Sequence, residues 1–83
     1  MLPDRDEIEK DVIEVLAEKS CVDKGLINLE SSLVDDLSMD SLDAVEAAFN
    51  FEEKYSMEIA DDDIRKFVKV RDIVDYIIIR LNN

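Results

Sequence analysis

The 83-residue chain predicts an all-α fold, a four-helix bundle of three longer helices and one short third helix. Three features carry that prediction. Apolar residues recur at three- and four-residue spacing near both ends and in the middle of the chain. One Gly and one Pro are too few for the tight turns of an all-β fold. The length suits a single domain over residues 1–83 with a modest core, because so short a chain buries only roughly 60–65% of its unfolded surface.

The first helix is expected from about Asp4 to Lys19, where Ile8, Val12, Val15 and Leu16 share one face. Asp4 followed by Glu7, or Asp6 followed by Glu9, offers a capping-box start. From Ser20 to Met39 no period holds. Ile27, Leu29, Leu33, Val34 and Leu37 are scattered among polar residues, which predicts a long loop packed on the helices, with at most a short helical turn. A second helix is expected over Ser41–Tyr55, with Asp40 as its N-cap and Asp43 in its first turn. A short third helix falls within residues 61–67, acids first and bases after, as the helix dipole favours. The fourth runs from Val70 to about Leu81, with Val70, Ile73, Val74, Ile77, Ile78 and Leu81 on one face. Its spacing, sustained over twelve residues, outweighs the strand propensity of the isoleucines.

Composition narrows the function. Twenty-two acids against ten bases give a formal net charge of −12. Such a surface repels nucleic-acid phosphates and anionic lipid, so neither nucleic acid nor membrane is an expected partner. It favours proteins with basic patches, and self-repulsion makes a monomer the expected state. Cys21 is the single cysteine and there is no histidine, so Cys21 forms no internal disulfide and has no imidazole partner. It is expected to be a small buried or half-buried packing residue. The N-terminal Met-Leu-Pro-Asp-Arg-Asp lacks an apolar signal-peptide core, and the longest apolar run, Tyr76-Ile77-Ile78-Ile79, is too short to span a bilayer. Cytoplasm is the expected compartment. Without histidine there is no His-based catalytic set, so an enzyme is not expected.

The second helix is the most informative stretch. At about 100° per residue, Ala44, Ala47, Ala48, Phe51 and Tyr55 form an ordinary core stripe. Leu42, Val45 and Phe49 form a second, narrower stripe, bordered by Ser41 and Glu52 on one side and by Glu46 and Glu53 on the other. A helix in a small bundle needs one apolar face. A second face ringed by carboxylates is either a wider core contact or an exposed docking site. Ser41 lies at the first turn, where unpaired N–H groups and the helix dipole suit an attached phosphate.

The stretch Leu33-Val34-Asp35-Asp36-Leu37-Ser38-Met39-Asp40-Ser41-Leu42-Asp43 resembles the acyl carrier protein signature, in which Gly-x-Asp-Ser-Leu opens the second helix. The similarity continues through Val45-Glu46, Phe51-Glu52-Glu53, Glu58-Ile59-Ala60-Asp61-Asp62, Val70 and Asp75-Tyr76-Ile77, so it covers nearly the whole chain. The resemblance implies a free-standing carrier whose Ser41 receives 4'-phosphopantetheine from coenzyme A through a phosphopantetheinyl transferase. The arm would hold acyl groups as thioesters for partner enzymes of fatty-acid or related acyl and polyketide synthesis. Asp40, Leu42, Val45, Glu46, Phe49, Glu52 and Glu53 match the family's partner-binding positions. Leu33, Val34, Phe51, Ile64, Phe67 and Ile73 match positions that line an acyl pocket, and each serves equally well as plain core. Asp35, Asp40, Asp43, Glu52, Glu58 and Asp61 are carboxylates that attract divalent cations weakly. With no EF-hand spacing, no bound metal is expected.

Several positions depart from the family pattern. Ser38 replaces the usual Gly, at a cost of about 1 kcal/mol if that position has positive φ. Phe49 replaces a smaller flexible residue. Ala47 and Ala48 are smaller than usual, while Ile64, Phe67 and Ile73 are large, which implies a shifted or reduced pocket. Arg65 and Lys69 put positive charge where it is uncommon, and Lys69 is a poor N-cap for the fourth helix. The competing reading is an acidic interaction module that binds a basic protein and carries no cofactor. Both readings predict the charge. Only the carrier requires Ser41.

Overall fold

The structure, a computed structural model, describes residues 3–82, so Met1, Leu2 and Asn83 of the sequence reading lie outside it. In chain order it contains α1 (Arg5–Ser20), a 3-10 turn (Lys24–Leu26), α2 (Ser41–Tyr55), α3 (Asp61–Ile64) and α4 (Val70–Leu81). The fold is all-helical, as expected. α1 packs against both α2 and α4, and α3 packs against α2. Among the described residues, no helix is long and apolar enough to cross a membrane.

Each helix begins and ends where local chemistry lets it. Asp4 caps α1, its Oδ1 accepting from the Glu7 N–H at 2.9 Å, so the first of the two predicted starts is used. At the other end Cys21 adopts φ 62° and donates its N–H to the Ala17 carbonyl at 2.9 Å, closing the last turn in the left-handed manner usual for Gly or Asn. Cys21 is therefore exposed rather than buried, which corrects the expectation of a packed thiol. The helix ends one residue later than expected, at Ser20. Its stop is a backbone event at the very residue expected to pack.

The segment between α1 and α2 is long and packs on the helices through part of its length. Ile27, Leu33, Leu37 and Met39 are buried in the core. Ser32 forms an antiparallel bridge with Lys69, flanked by Leu33 N–H to the Val68 carbonyl at 2.9 Å and Val70 N–H to the Ser31 carbonyl at 3.1 Å. These bonds satisfy backbone groups that a helix-to-helix connection would otherwise leave bare. Glu30 adds an ion pair to Lys69 at 3.0 Å and another to Arg71 at 2.9 Å. The Lys69 hydrogen bond holds the Glu30 carboxyl below the usual carboxylate range. Val34 departs from its expected place: it is 68% exposed, so it is not core.

α3 is shorter than the 61–67 stretch suggested. It ends at Ile64, and the next bonds, Lys66 N–H to Asp63 and Phe67 N–H to Ile64, are the tighter i to i−3 kind. The loop before α2 makes up for Lys69 as a cap: the Val70 and Arg71 N–H groups donate to the Ser31 and Leu29 carbonyls at 3.1 and 3.0 Å. Asp72 Oδ2 accepts from both Val68 N–H and Lys69 N–H at 2.9 Å and fixes the chain ahead of the helix.

One core unites these elements. Ile8, Val12 and Leu16 come from α1; Ala47, Ala48 and Phe51 from α2; Val70, Ile73, Val74 and Ile77 from α4. Val15, Ala44, Tyr55, Ile78 and Leu81 pack at its margin. The predicted core faces thus hold, apart from the graded exposure of their edges. Tyr55 Oη donates to Asp11 Oδ2 at 2.8 Å and stitches α2 to α1; burial and that hydrogen bond push its phenol well above the ordinary range.

Candidate functional site

The N-terminus of α2 is set by two aspartates acting on each other's backbone. Asp40 Oδ1 accepts from Asp43 N–H at 2.9 Å, and Asp43 Oδ2 accepts from Asp40 N–H at 3.3 Å. This reciprocal box holds Ser41 at the first helical position, with its side chain exposed. Ala44 N–H makes the first intrahelical bond, to Asp40 O at 3.1 Å. With the Asp43 N–H taken by Asp40, the N–H groups of Ser41 and Leu42 lie ahead of the intrahelical ladder, beside the Ser41 hydroxyl. Two such donors and the positive end of the dipole suit an anionic group at this position.

Ser38 enters this turn with φ 53°, the left-handed region that the family's glycine favours. Ser38 N–H donates to the Val34 carbonyl at 3.1 Å and Met39 N–H to the Leu33 carbonyl at 2.9 Å, which fixes the chain just ahead of Asp40.

The second stripe of α2 faces solvent. Leu42 is 64% exposed, Phe49 is 59% exposed and Val45 is half-buried. Glu46 and Glu53 are exposed beside them. Glu46 has only a distant ion pair, 3.9 Å to Lys19. Glu52 has a structural task in addition: its Oε2 accepts from the Ile59 N–H at 2.9 Å and anchors the turn after α2. Asp40 is likewise committed to its cap, which leaves Glu46 and Glu53 as rim carboxylates that hold no backbone N–H among the described residues.

Ser41 opens onto a groove of about 890 Å³ between α2 and α3. Its walls are Leu33, Val34, Met39, Ala44, Val45, Phe49, Ile64 and Phe67, with Asp40, Asp61 and Arg65 at polar positions. Behind it lies an interior void of only about 10 Å³, lined by Leu16, Leu33, Met39, Ala44, Ala47, Ala48, Phe51, Phe67 and Ile73. That is the room one water needs. The two spaces share Leu33, Met39, Ala44 and Phe67 as a common wall.

The six residues matched to an acyl pocket therefore divide. Val34 and Ile64 line only the outer groove, Phe51 and Ile73 only the inner void, and Leu33 and Phe67 both. Ala47 and Ala48 line the inner void together with Phe51, Phe67 and Ile73. Sequence reasoning did not single out Met39 or Ala44 as groove residues. Met39 is a buried loop residue with no periodicity to reveal it, and the spacing of Ala44 points to the core stripe alone. The α3 wall is held from behind: Phe67 packs edge-on to Tyr76 with ring centroids 5.4 Å apart, and Tyr76 Oη donates to Asp63 Oδ2 at 2.9 Å. Burial and the Asp63 bond push the Tyr76 phenol above its usual range. Arg80 Nη1 donates to the same phenol oxygen at 2.7 Å.

Comparison with known proteins agrees with this geometry. Residues 10–77 match the family model described as "Phosphopantetheine attachment site". The acyl carrier protein of Campylobacter lari is 45% identical over 67 residues, covering 81% of this chain and 87% of the relative. That of Campylobacter concisus is 43% identical over 68 residues, covering 82% and 88%. That of Campylobacter jejuni subsp. doylei is 43% identical over 67 residues, with the same coverage as the first. A family match over most of the chain, and relatives of this identity along nearly their whole length, mean that the chain belongs to the phosphopantetheine-bearing acyl carrier proteins.

Proposed function

We propose that Ser41 is the attachment point, and that the protein holds acyl intermediates as thioesters on a 4'-phosphopantetheine arm and delivers them to partner enzymes. The observation that carries this reading is the exposed Ser41 at the first position of α2, locked there by the Asp40–Asp43 box. In the loading reaction the Ser41 oxygen bonds to the pantetheine-side phosphorus of coenzyme A and the adenosine bisphosphate leaves. The chain's part is to present the hydroxyl and two free backbone donors. The transferase supplies the chemistry.

Docking falls to the second face of α2. Leu42, Val45 and Phe49 give partners an apolar ridge, and Glu46 and Glu53 meet basic residues on a transferase or an acyl-processing enzyme. Asp40 and Glu52 contribute charge but chiefly hold the backbone. The partners belong to fatty-acid or related acyl and polyketide synthesis, and the carrier works as a monomer.

Intact-mass measurement after incubation with coenzyme A and a promiscuous phosphopantetheinyl transferase tests the assignment. A gain of one phosphopantetheine is expected, absent in Ser41→Ala. No gain, under conditions that modify a control carrier, refutes it. Glu46→Lys combined with Glu53→Lys is expected to slow loading most at low salt, where exposed charges are least screened. Unchanged rates place docking elsewhere.

A further inference from the structure

We propose that the groove beside Ser41 favours an acyl group with a negative charge at its far end, and that Arg65 is the residue that selects it. This rests on Ser41 as the attachment point. Two spaces are open to a chain leaving Ser41. The interior void, at about 10 Å³, admits no chain without repacking the core. The outer groove, at about 890 Å³, has the size and apolar lining of a small-molecule site and contains Ser41 itself.

Arg65 is the cation among the groove-lining residues. Its side chain is 78% exposed, and its ion-pair partner is Asp62, at 3.4 Å and itself 85% exposed. A pair that long, between side chains that wet, leaves the guanidinium energetically free to turn. Its planar donors match a carboxylate in a way that the neighbouring apolar walls cannot. Two acids, Asp40 and Asp61, also line the groove and repel an anion that lacks contact with the guanidinium. An uncharged chain gains only the apolar walls. An anionic chain of the right length gains the walls and the guanidinium together. The phosphodiester of the arm is a second source of oxyanion, and the unloaded arm serves to separate the two.

The test loads the protein enzymatically from coenzyme A, glutaryl-coenzyme A and pentanoyl-coenzyme A, the last two having five-carbon acyl groups that differ in the terminal carboxylate. Arg65→Gln keeps much of the side-chain length and removes the charge. The Arg65 Nε–H resonance and the thioester hydrolysis rate are followed at low and high salt. For the wild type, glutaryl loading is expected to shift Nε–H and, with each rate divided by that of the matching acyl-coenzyme A to cancel attack by the glutaryl carboxylate on its own thioester, to slow hydrolysis about two- to fivefold relative to pentanoyl, the scale of one exposed ion pair. The advantage should vanish in Arg65→Gln and shrink with salt. Equal hydrolysis of the two thioesters, each relative to its acyl-coenzyme A, overturns the proposal. So does an Nε–H shift already complete in the unloaded arm form, which assigns Arg65 to the phosphodiester. Absence of any loading, with a control carrier modified, instead refutes Ser41 as the attachment point and removes the premise.

Discussion

Phe51 and Phe49 stand two residues apart on α2 and occupy opposite surroundings. Phe51 is 1% exposed, wedged among the α1 and α4 side chains of the core, whereas Phe49 is 59% exposed on the groove side. One helix thus carries two apolar faces, one of which closes the bundle while the other remains in water. Water-exposed aromatic area is unfavourable for an isolated chain, and the fold has enough apolar residues elsewhere to complete its core without Phe49. The contrast teaches that hydrophobicity on a helix does not by itself identify the core. Neighbouring side chains do. Ala44, Ala47 and Ala48 beside Phe51 let other helices approach, while Glu46 and Glu53 beside Phe49 keep them away.

The sharpest way to break the contrast is to truncate each ring. Phe51→Ala should destabilise by about 3–5 kcal/mol, the usual cost of removing a buried ring, read as a fall in the denaturant midpoint. A loss below about 1 kcal/mol would mean that the void lined by Phe51 collapses without penalty. The strain ahead of the helix ranks next. Ser38→Gly should stabilise by roughly 1 kcal/mol, because glycine accepts φ 53° without the Cβ clash, and loading of Ser41 should be unaffected. A destabilised glycine variant would show that the Ser38 side chain repays its backbone cost. Phe49→Ala comes last in stability, within about ±0.5 kcal/mol, yet should slow arm transfer at limiting transferase. A Phe49→Ala variant that melts early but loads at the normal rate would move Phe49 from docking to core.

The bounds of α2 and α4 were legible in the sequence because their start signals are local: Asp40 with Asp43 for α2, and a sustained apolar face for α4. The exposure of Leu42 and Phe49 was legible only as one of two alternatives, since periodicity identifies a face without naming what covers it. Other features depend on contacts between distant parts of the chain. Glu52 bonding to Ile59 N–H, Ser31 to Val70 N–H and Tyr76 to Asp63 all require the fold to exist first. Val34 was misplaced because a loop offers no period to separate in from out. Cys21 was misplaced because a small thiol usually packs, and nothing local announces a left-handed residue other than glycine. The division between a large outer groove and a water-sized inner void arises from side-chain volumes on three elements at once.

The left-handed Cys21 at the end of α1 has a practical corollary. The bare polypeptide already displays one accessible sulfhydryl, and the arm adds a second. Reagents that count sulfur would therefore report a stoichiometry of two for the armed, unacylated form and one for the acylated form. Asparagine tolerates this backbone geometry better than most residues, so Cys21→Asn is the replacement that yields a background-free carrier without unravelling the helix end.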